Sequence, residues 1–434
     1  MEVKKNKSLY GNENKLLYFM DLGLLYHYAG KYDSSIEALS QAVRIHDDLF
    51  AKSVTNEAAA FITNDNSRPY RGRSHEIVFL HQILAFDYLA LSKYDDALVE
   101  ARQAQLFLDE VKRKAGKGSK EYVDDGMYRY LTAIIYQAAR QKDDAAISMY
   151  QAVKAYRQGS VPMPPSVGSQ AAALFKAQDR RDDTKELGLN NSDPINADPS
   201  GSEIIVIGHA GRSPNLGQNV FWGTYARDGV LVIHYHNTKG EIITEVLPAP
   251  GLPASEISKA NRGRRSNSGT TFHVKFAMPA IKEVASQTSF FTVAGEASPN
   301  PVRTEALTDL NPLLTHDLDD HYTAILTRTV IRVVLRTFTA EETKSAISGG
   351  NPLINLILNI GTDLLSDQLE QADTRAWFLL PRTLQIARIP VKPGVHSVTV
   401  EAHGASGESL GNKVFDNLDI KPGEKKFIFF PSLK

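Results

Sequence analysis

Apolar residues recur at helical spacing through roughly the first 180 residues and at strand spacing from residue 203 onward, so the chain divides where its rhythm changes. Across the helical region a single phrase is written three times, as GKYDSSIEALSQA (30–42), SKYDDALVEARQA (92–104) and RQKDDAAISMYQA (140–152). In the first copy Leu22, Gly23 and Tyr26 stand before the turn at Gly30 and Tyr32, and Ser35, Leu39 and Ala42 follow it. The second repeats this with Leu84, Ala85 and Tyr88, then Ser92 and Tyr94, then Ala97, Ala101 and Ala104. The third keeps Ala133, Tyr136, Ala145, Met149 and Ala152 but lacks the turn glycine and tyrosine. Small residues let two antiparallel helices approach closely, and the tyrosine fills the gap between neighbouring hairpins. That is the tetratricopeptide signature.

The turn positions Gly30, Ser92 and Arg140 are spaced more widely than a regular array, which repeats every ~34 residues, so segments are inserted between copies. The first insertion predicts a helix over Asp47–Thr63 and an irregular loop over Thr63–Glu76 that fixes its own backbone and ends at the cap residue Ser74. VPMPP at 161–165 breaks the last repeat helix, a short helix is expected over Gln170–Gln178, and the polar stretch after it reads as a linker. Beyond it, strands are expected over Glu203–His209, Val220–Asn237, Glu241–Leu247 and Thr271–Ala277, then helices over Asp317–Thr337 and Pro352–Glu370. The end returns to strands at Thr383–Ile389, His396–Ala402, Lys413–Ile420 and Lys426–Phe430. The expected fold class is α+β: a helical-repeat domain (1–180), a linker (181–202), an α+β domain (203–381) and a small β-sandwich-like module (382–434) packed on it. The polar linker leads us to expect that residues 200–434 fold alone.

Composition narrows the class of function. With 49 basic and 50 acidic residues and a net charge of −1, no global field draws the chain to nucleic acid. The absence of cysteine removes disulfides, thiolate metal sites and cysteine nucleophiles. The most apolar run, Pro352–Leu365, is too short to cross a bilayer.

Candidate chemistry is thin. His234 and His236 lie two apart on a strand and share a face, without a third ligand nearby to complete a metal site. In HDLDDH (316–321) the acids read as helix caps, with Asp317 or Asp319 at the N-terminus. Arg262, Arg264 and Arg265 sit in a Ser/Asn/Gly loop that reads as solvated. There is no nucleophile elbow, Walker loop or metalloprotease helix, so a non-enzyme without cofactor or metal is expected.

TNDNSRPYRG (63–72), the helices that follow it, EQADTRAWFLLP (370–381) and IARIPVKPGVH (386–396) resemble an uncharacterised family of bacterial envelope lipoproteins with N-terminal tetratricopeptide repeats. The resemblance implies an exported protein, periplasmic or attached to the outer membrane, held only through a lipid anchor whose lipobox cysteine this sequence does not contain. Resemblance to tetratricopeptide arrays implies a partner groove lined by Met20, Leu24, His27, Gln82, Phe86, Leu89, Tyr130, Ile134 and Gln137. It is mostly apolar and suits a peptide with apolar anchors; the alternative is that the second domain fills it. The expected role is a scaffold or adaptor for envelope proteins, with oligomers allowed. The alternatives are a structural subunit of a surface assembly, or a cell-wall hydrolase with its site in the α+β domain. In EQADTRAW, Asp373 and Arg375 are expected to hold a helix end onto the sheet and leave Trp377 buried.

Overall fold

The computed structural model describes residues 2–53, 68–115, 126–159, 161–189, 200–226, 230–236, 242–248, 272–295, 298–337 and 371–434. After a short α1 (Glu2–Lys5) come helical hairpins: α2 (Lys15–Tyr28) with α3 (Tyr32–Ser53), α4 (Ser74–Ala90) with α5 (Tyr94–Ala115), and α6 (Gly126–Ala138) with α7 (Lys142–Gln158). A further hairpin follows, α8 (Pro165–Ala177) with α9 (Arg181–Glu186).

All four hairpin turns are built alike. Gly30, Ser92, Arg140 and Asp179 each take a positive φ, at 68°, 58°, 61° and 54°. Each turn also closes with the paired backbone bonds of a Schellman motif, as in Gly30 N–H to His27 O (2.9 Å) and Lys31 N–H to Tyr26 O (2.9 Å). Glycine adopts this conformation without steric cost, whereas serine, arginine and aspartate are held in it by the packing of the hairpin. The small residues sit where the helices touch: Ala42, Ala97, Ala104, Ala145 and Ala152 are all wholly buried. A Cβ on Gly23 would collide with Leu39, and the Ser35 hydroxyl donates to Gly23 O at 2.8 Å across the same contact.

The strands form three four-stranded sheets. The central one has the order β12 (Lys425–Ser432), β1 (Glu203–Ala210), β9 (Thr383–Pro390), β8 (Glu305–Asp309). A second has the order β11 (Ser409–Ile420), β10 (Gly394–His403), β6 (Phe290–Gly295), β7 (Ser298–Arg303). The third is the antiparallel sheet β4 (Ile242–Pro248), β3 (Val230–His236), β2 (Asn215–Ala226), β5 (Phe272–Lys282), on which α10 (Leu310–Thr337) packs through β5.

Strand alternation makes the central sheet the middle of three layers. On β1, Ile204, Val206 and Ala210 join a core with Phe291, Val293, Val398 and Val400 of the second sheet. A Cβ on Gly208 would run into Phe291, so the two sheets close only over a bare backbone there. The alternate residues Ile205 and Ile207, with Leu384, Ile386, Phe427 and Phe429, belong to one apolar cluster with the repeat helices. Every residue of β1 is buried in consequence.

Several expectations change. Strands of 203–309 and 383–432 share both sheets of the sandwich, alternating in the central one, so residue 381 does not divide two modules. The non-local partner is β12, which pairs in parallel with β1 from Glu203↔Lys425 to Ala210↔Ser432. The expected linker begins with α9, and Leu187 and Leu189 are buried against the repeats. Helix α3 runs unbroken to Ser53, taking in the start of the helix expected from Asp47; 54–67 lie outside the described residues, as does 338–370 with the expected helix Pro352–Glu370. Strands β6 to β8 were not anticipated, because prolines and charges break their alternation, as in SPNPVR of β7.

The repeat layer is the only cover over the inner face of the central sheet among the described elements. A fragment of residues 200–434 therefore exposes Ile205, Ile207, Leu384, Ile386, Phe427 and Phe429 together. In contrast to the independence suggested by the polar linker, we expect this fragment to aggregate or to bind a hydrophobic dye at neutral pH. A dispersed NMR spectrum from a monomeric fragment would contradict the layered packing.

Candidate functional site

The nine groove residues do come together, on the inner helices α2, α4 and α6, but none of them is open to solvent. Met20, Leu24, Tyr130 and Ile134 are wholly buried, and even Gln137 is 8% exposed. The expected groove is filled by the chain's own central sheet. The physical reason lies in the parity of β1, β9 and β12, which turns one apolar stripe toward the helices and leaves both surfaces without another cover.

At one end of β1 this seam is aromatic. His27 donates or accepts through Nδ1 with Asp87 Oδ1 at 2.7 Å, both groups being buried. Its ring meets His209 of β1 edge-on at 5.1 Å and Phe429 of β12 at 5.2 Å, while Phe86 lies 5.0 Å from Phe429. Tyr28 donates to Leu379 O at 3.0 Å and Tyr156 to Leu307 O at 2.9 Å, so polar bonds tie the repeats to the strand layer on both sides of the cluster.

The other end of β1 is ionic. Arg388 of β9 donates to Glu203 Oε2 from Nε (2.9 Å) and Nη2 (2.7 Å), and Nη2 reaches Gln137 Oε1 of α6 at 3.0 Å. Lys425 of β12 stands 3.2 Å from Glu203 Oε1 and donates to Gly201 O at 2.7 Å. Burial alone would raise the Glu203 pKa, but Arg388 and then Lys425 outweigh it and hold the carboxyl below its ordinary value. Burial likewise opposes the charge on Arg388, and Glu203 more than offsets it, raising that pKa.

A third cluster joins the loop 68–73 to the segment 371–380. Glu76 at the start of α4 accepts from the Trp377 backbone N–H at 2.6 Å, from Arg73 N–H at 2.8 Å and from the Tyr70 hydroxyl. Arg375 grips Asp373 at 2.6 Å and also donates to Asn14 Oδ1 (3.1 Å) and Arg68 O (2.8 Å). Trp377 is buried. The strap 371–380 thus fastens the loop 68–73 and the N-terminus of α2; the helix end it was expected to hold lies outside the described residues. Beneath it Asp21 accepts from Tyr10 at 2.6 Å, and burial pushes its carboxyl up to about 7 despite that bond, which lowers it.

The remaining candidates are dispersed. His234 bonds Thr244 Oγ1 at 2.9 Å, and the His236 side chain lies outside the described residues, as do Arg262, Arg264 and Arg265. Helix α10 begins at Leu310, so its cap is Asp309, which accepts from Asn311 N–H at 2.9 Å. Asp317 lies in the second turn instead and pairs with Arg73 at 3.1 Å, correcting its reading as a cap. No group of three or more His, Cys, Asp or Glu residues suited to a metal occurs among the described residues.

Sequence reading overlooked Glu203, Arg388 and Lys425. The signal was present: each shares strand parity with an inward apolar residue, Ile205, Ile386 or Phe427, where a charge requires a buried partner.

No protein-family model and no curated protein matches the chain. Among solved structures it is similar to a Podosopora anserina protein of kinesin light chain type with nearly identical TPR-like repeats, and to a single-substitution variant of it. Each is 17% identical, the match covers 39% of this chain and 69% of that one, and the TM-score is 0.26. At that level the likeness carries no functional weight.

The buried charges make two outcomes measurable. Glu203→Gln leaves Arg388 and Lys425 buried without their counter-charge and costs about 3–5 kcal/mol in urea unfolding at pH 7; replacing all three by apolar residues costs less than this single change. A Glu203→Gln variant as stable as the parent would show that the triad is not desolvated. For Asp21, a folded pKa raised from 3.8 to about 7 means its stabilising contribution is complete below pH 4 and is lost as pH rises through 7. Asp21→Asn therefore gains stability over the parent between pH 4.5 and 8, by about 2–4 kcal/mol, and parallel stability curves for the two proteins would contradict this.

Proposed function

We propose that the protein is a non-catalytic scaffold of the bacterial cell envelope that binds protein partners on a rigid platform. The observation that carries this reading is the welding of the repeats to the sandwich. Glu76, Arg375 and Arg388, among the groups best placed for chemistry, bond across to the other layer, while His27 and Asp87 pair between repeat helices and Glu203 holds Arg388 within the central sheet. With the inner face covered, the surface left to a partner is the outer one, where Val99 and Leu106 of α5 and Ile147 of α7 are exposed.

The envelope setting, and attachment through a lipid anchor outside this chain, rest on the resemblance of residues 63–72, 370–381 and 386–396. Tyr70, Asp373, Arg375 and Trp377, which lie in two of those stretches, meet in one corner of the fold. Among the described residues no helix is long and apolar enough to cross a membrane. A second reading, a structural subunit of a surface assembly, is favoured by β11, a twelve-residue strand at the end of its sheet with Val414 half exposed.

In-cell crosslinking followed by affinity capture from envelope fractions tests the scaffold. We expect defined envelope proteins to be captured, with recovery reduced at least tenfold by Val99→Glu with Leu106→Glu. Capture unchanged by that double substitution moves the interface elsewhere, ordered self-association through β11 favours the assembly, and release of cell-wall fragments by the purified protein overturns the non-catalytic reading.

A further inference from the structure

We propose that the seam between the repeats and the sandwich is a pH-operated latch, in which His209 releases the inner repeat face on taking up a proton. His209 is wholly buried, and neither of its ring nitrogens has a hydrogen-bond partner. Its neighbours leave a cation unserved. From α2 it faces His27 at 5.1 Å and Tyr28 at 5.5 Å, from α4 Phe86 at 6.2 Å and from β12 Phe429 at 6.4 Å. Its cross-strand partners are Pro431 and Leu384. Asp87 is already taken by His27, and Tyr32 of α3 lies 5.8 Å from the His27 ring.

A protonated His209 would carry two N–H donors in an aromatic cage, beside a second imidazole, at nitrogens that make no hydrogen bond in the closed form. Parting the layers brings water to it. Burial, and then His27, hold its pKa well below the ordinary histidine value in the closed form. On opening it returns toward about 6.5. The closed form is thus favoured above that pH, and the open-to-closed ratio rises by up to about tenfold per pH unit below it. Glu203, whose carboxyl stays ionised at lower pH through Arg388 and Lys425, sits at the opposite end of β1 and holds as a hinge. Asp21 responds with the opposite sign. His75, also buried and shifted down, faces Arg73, Glu76 and Asp317 in the other corner. The latch does not depend on the identity, or the existence, of a partner.

Because the sequence lacks cysteine, Lys31→Cys and Val414→Cys place two fluorophores cleanly, one on an exposed hairpin turn and one on the outer sheet. We expect one short distance at pH 7.5 and a second, longer population that grows several-fold per pH unit between 6.5 and 5.0. His209→Phe, or His209→Asn if phenylalanine overpacks the cage, removes that growth while remaining closed at pH 7.5. The amide protection factors at Ile205–Ile207, which are exchange rates divided by their intrinsic values at each pH and are read on the unmodified protein, fall over the same range. Distances or protection factors that do not change between pH 7.5 and 5.0, or an unchanged pH response in a variant closed at pH 7.5, would overturn the proposal.

Discussion

Burial of β1 on both of its faces is the constraint on which the rest of the molecule rests. A strand reading EIIVIGHA has no side that tolerates water along most of its length, so it needs a sheet on one side and a helical layer on the other. The repeats supply the second. Their inner helices would otherwise present Met20, Leu24, Phe86, Leu89 and Ile134 to solvent, and the match between two unpartnered apolar faces makes one core out of two architectures.

Polar groups within that core are arranged so that each end of β1 has its own character. At Glu203 two cations surround one carboxylate, and Gln137 takes one further donor of the guanidinium. At His209 the same strand offers a neutral ring to aromatic neighbours. A buried ion cluster contributes less to net stability than an apolar one of the same volume, but it penalises any shift of register between β1, β9 and β12. A slip by one residue would turn Glu203, Arg388 and Lys425 into the apolar interior of the sandwich.

The repeats were legible because a turn repeated in phase is a local signal. The spacing that singled out Gly30, Ser92 and Arg140 marks three residues of positive φ. Asp179, which makes the same turn, was missed because α9 is only six residues long and its polar sequence resembles a linker. Most strands with clean alternation were found. The covering of the groove was a different kind of problem: it depends on which apolar faces meet across more than a hundred residues, and no local pattern records that. The strap fared in between, since the burial of Trp377 could be anticipated while the reach of Arg375 to Asn14 and Arg68 could not.

The parallel pairing of β1 with β12 also governs the order of events during synthesis. The strand that completes the central sheet is made after every other element described, whereas the helical hairpins, rich in local contacts, can form as they emerge. Until residues 425–432 arrive, a nascent chain carries an assembled repeat layer and an unfinished sheet, each with its apolar side uncovered. Any chaperone that holds the chain over that interval meets a surface that the finished protein no longer shows.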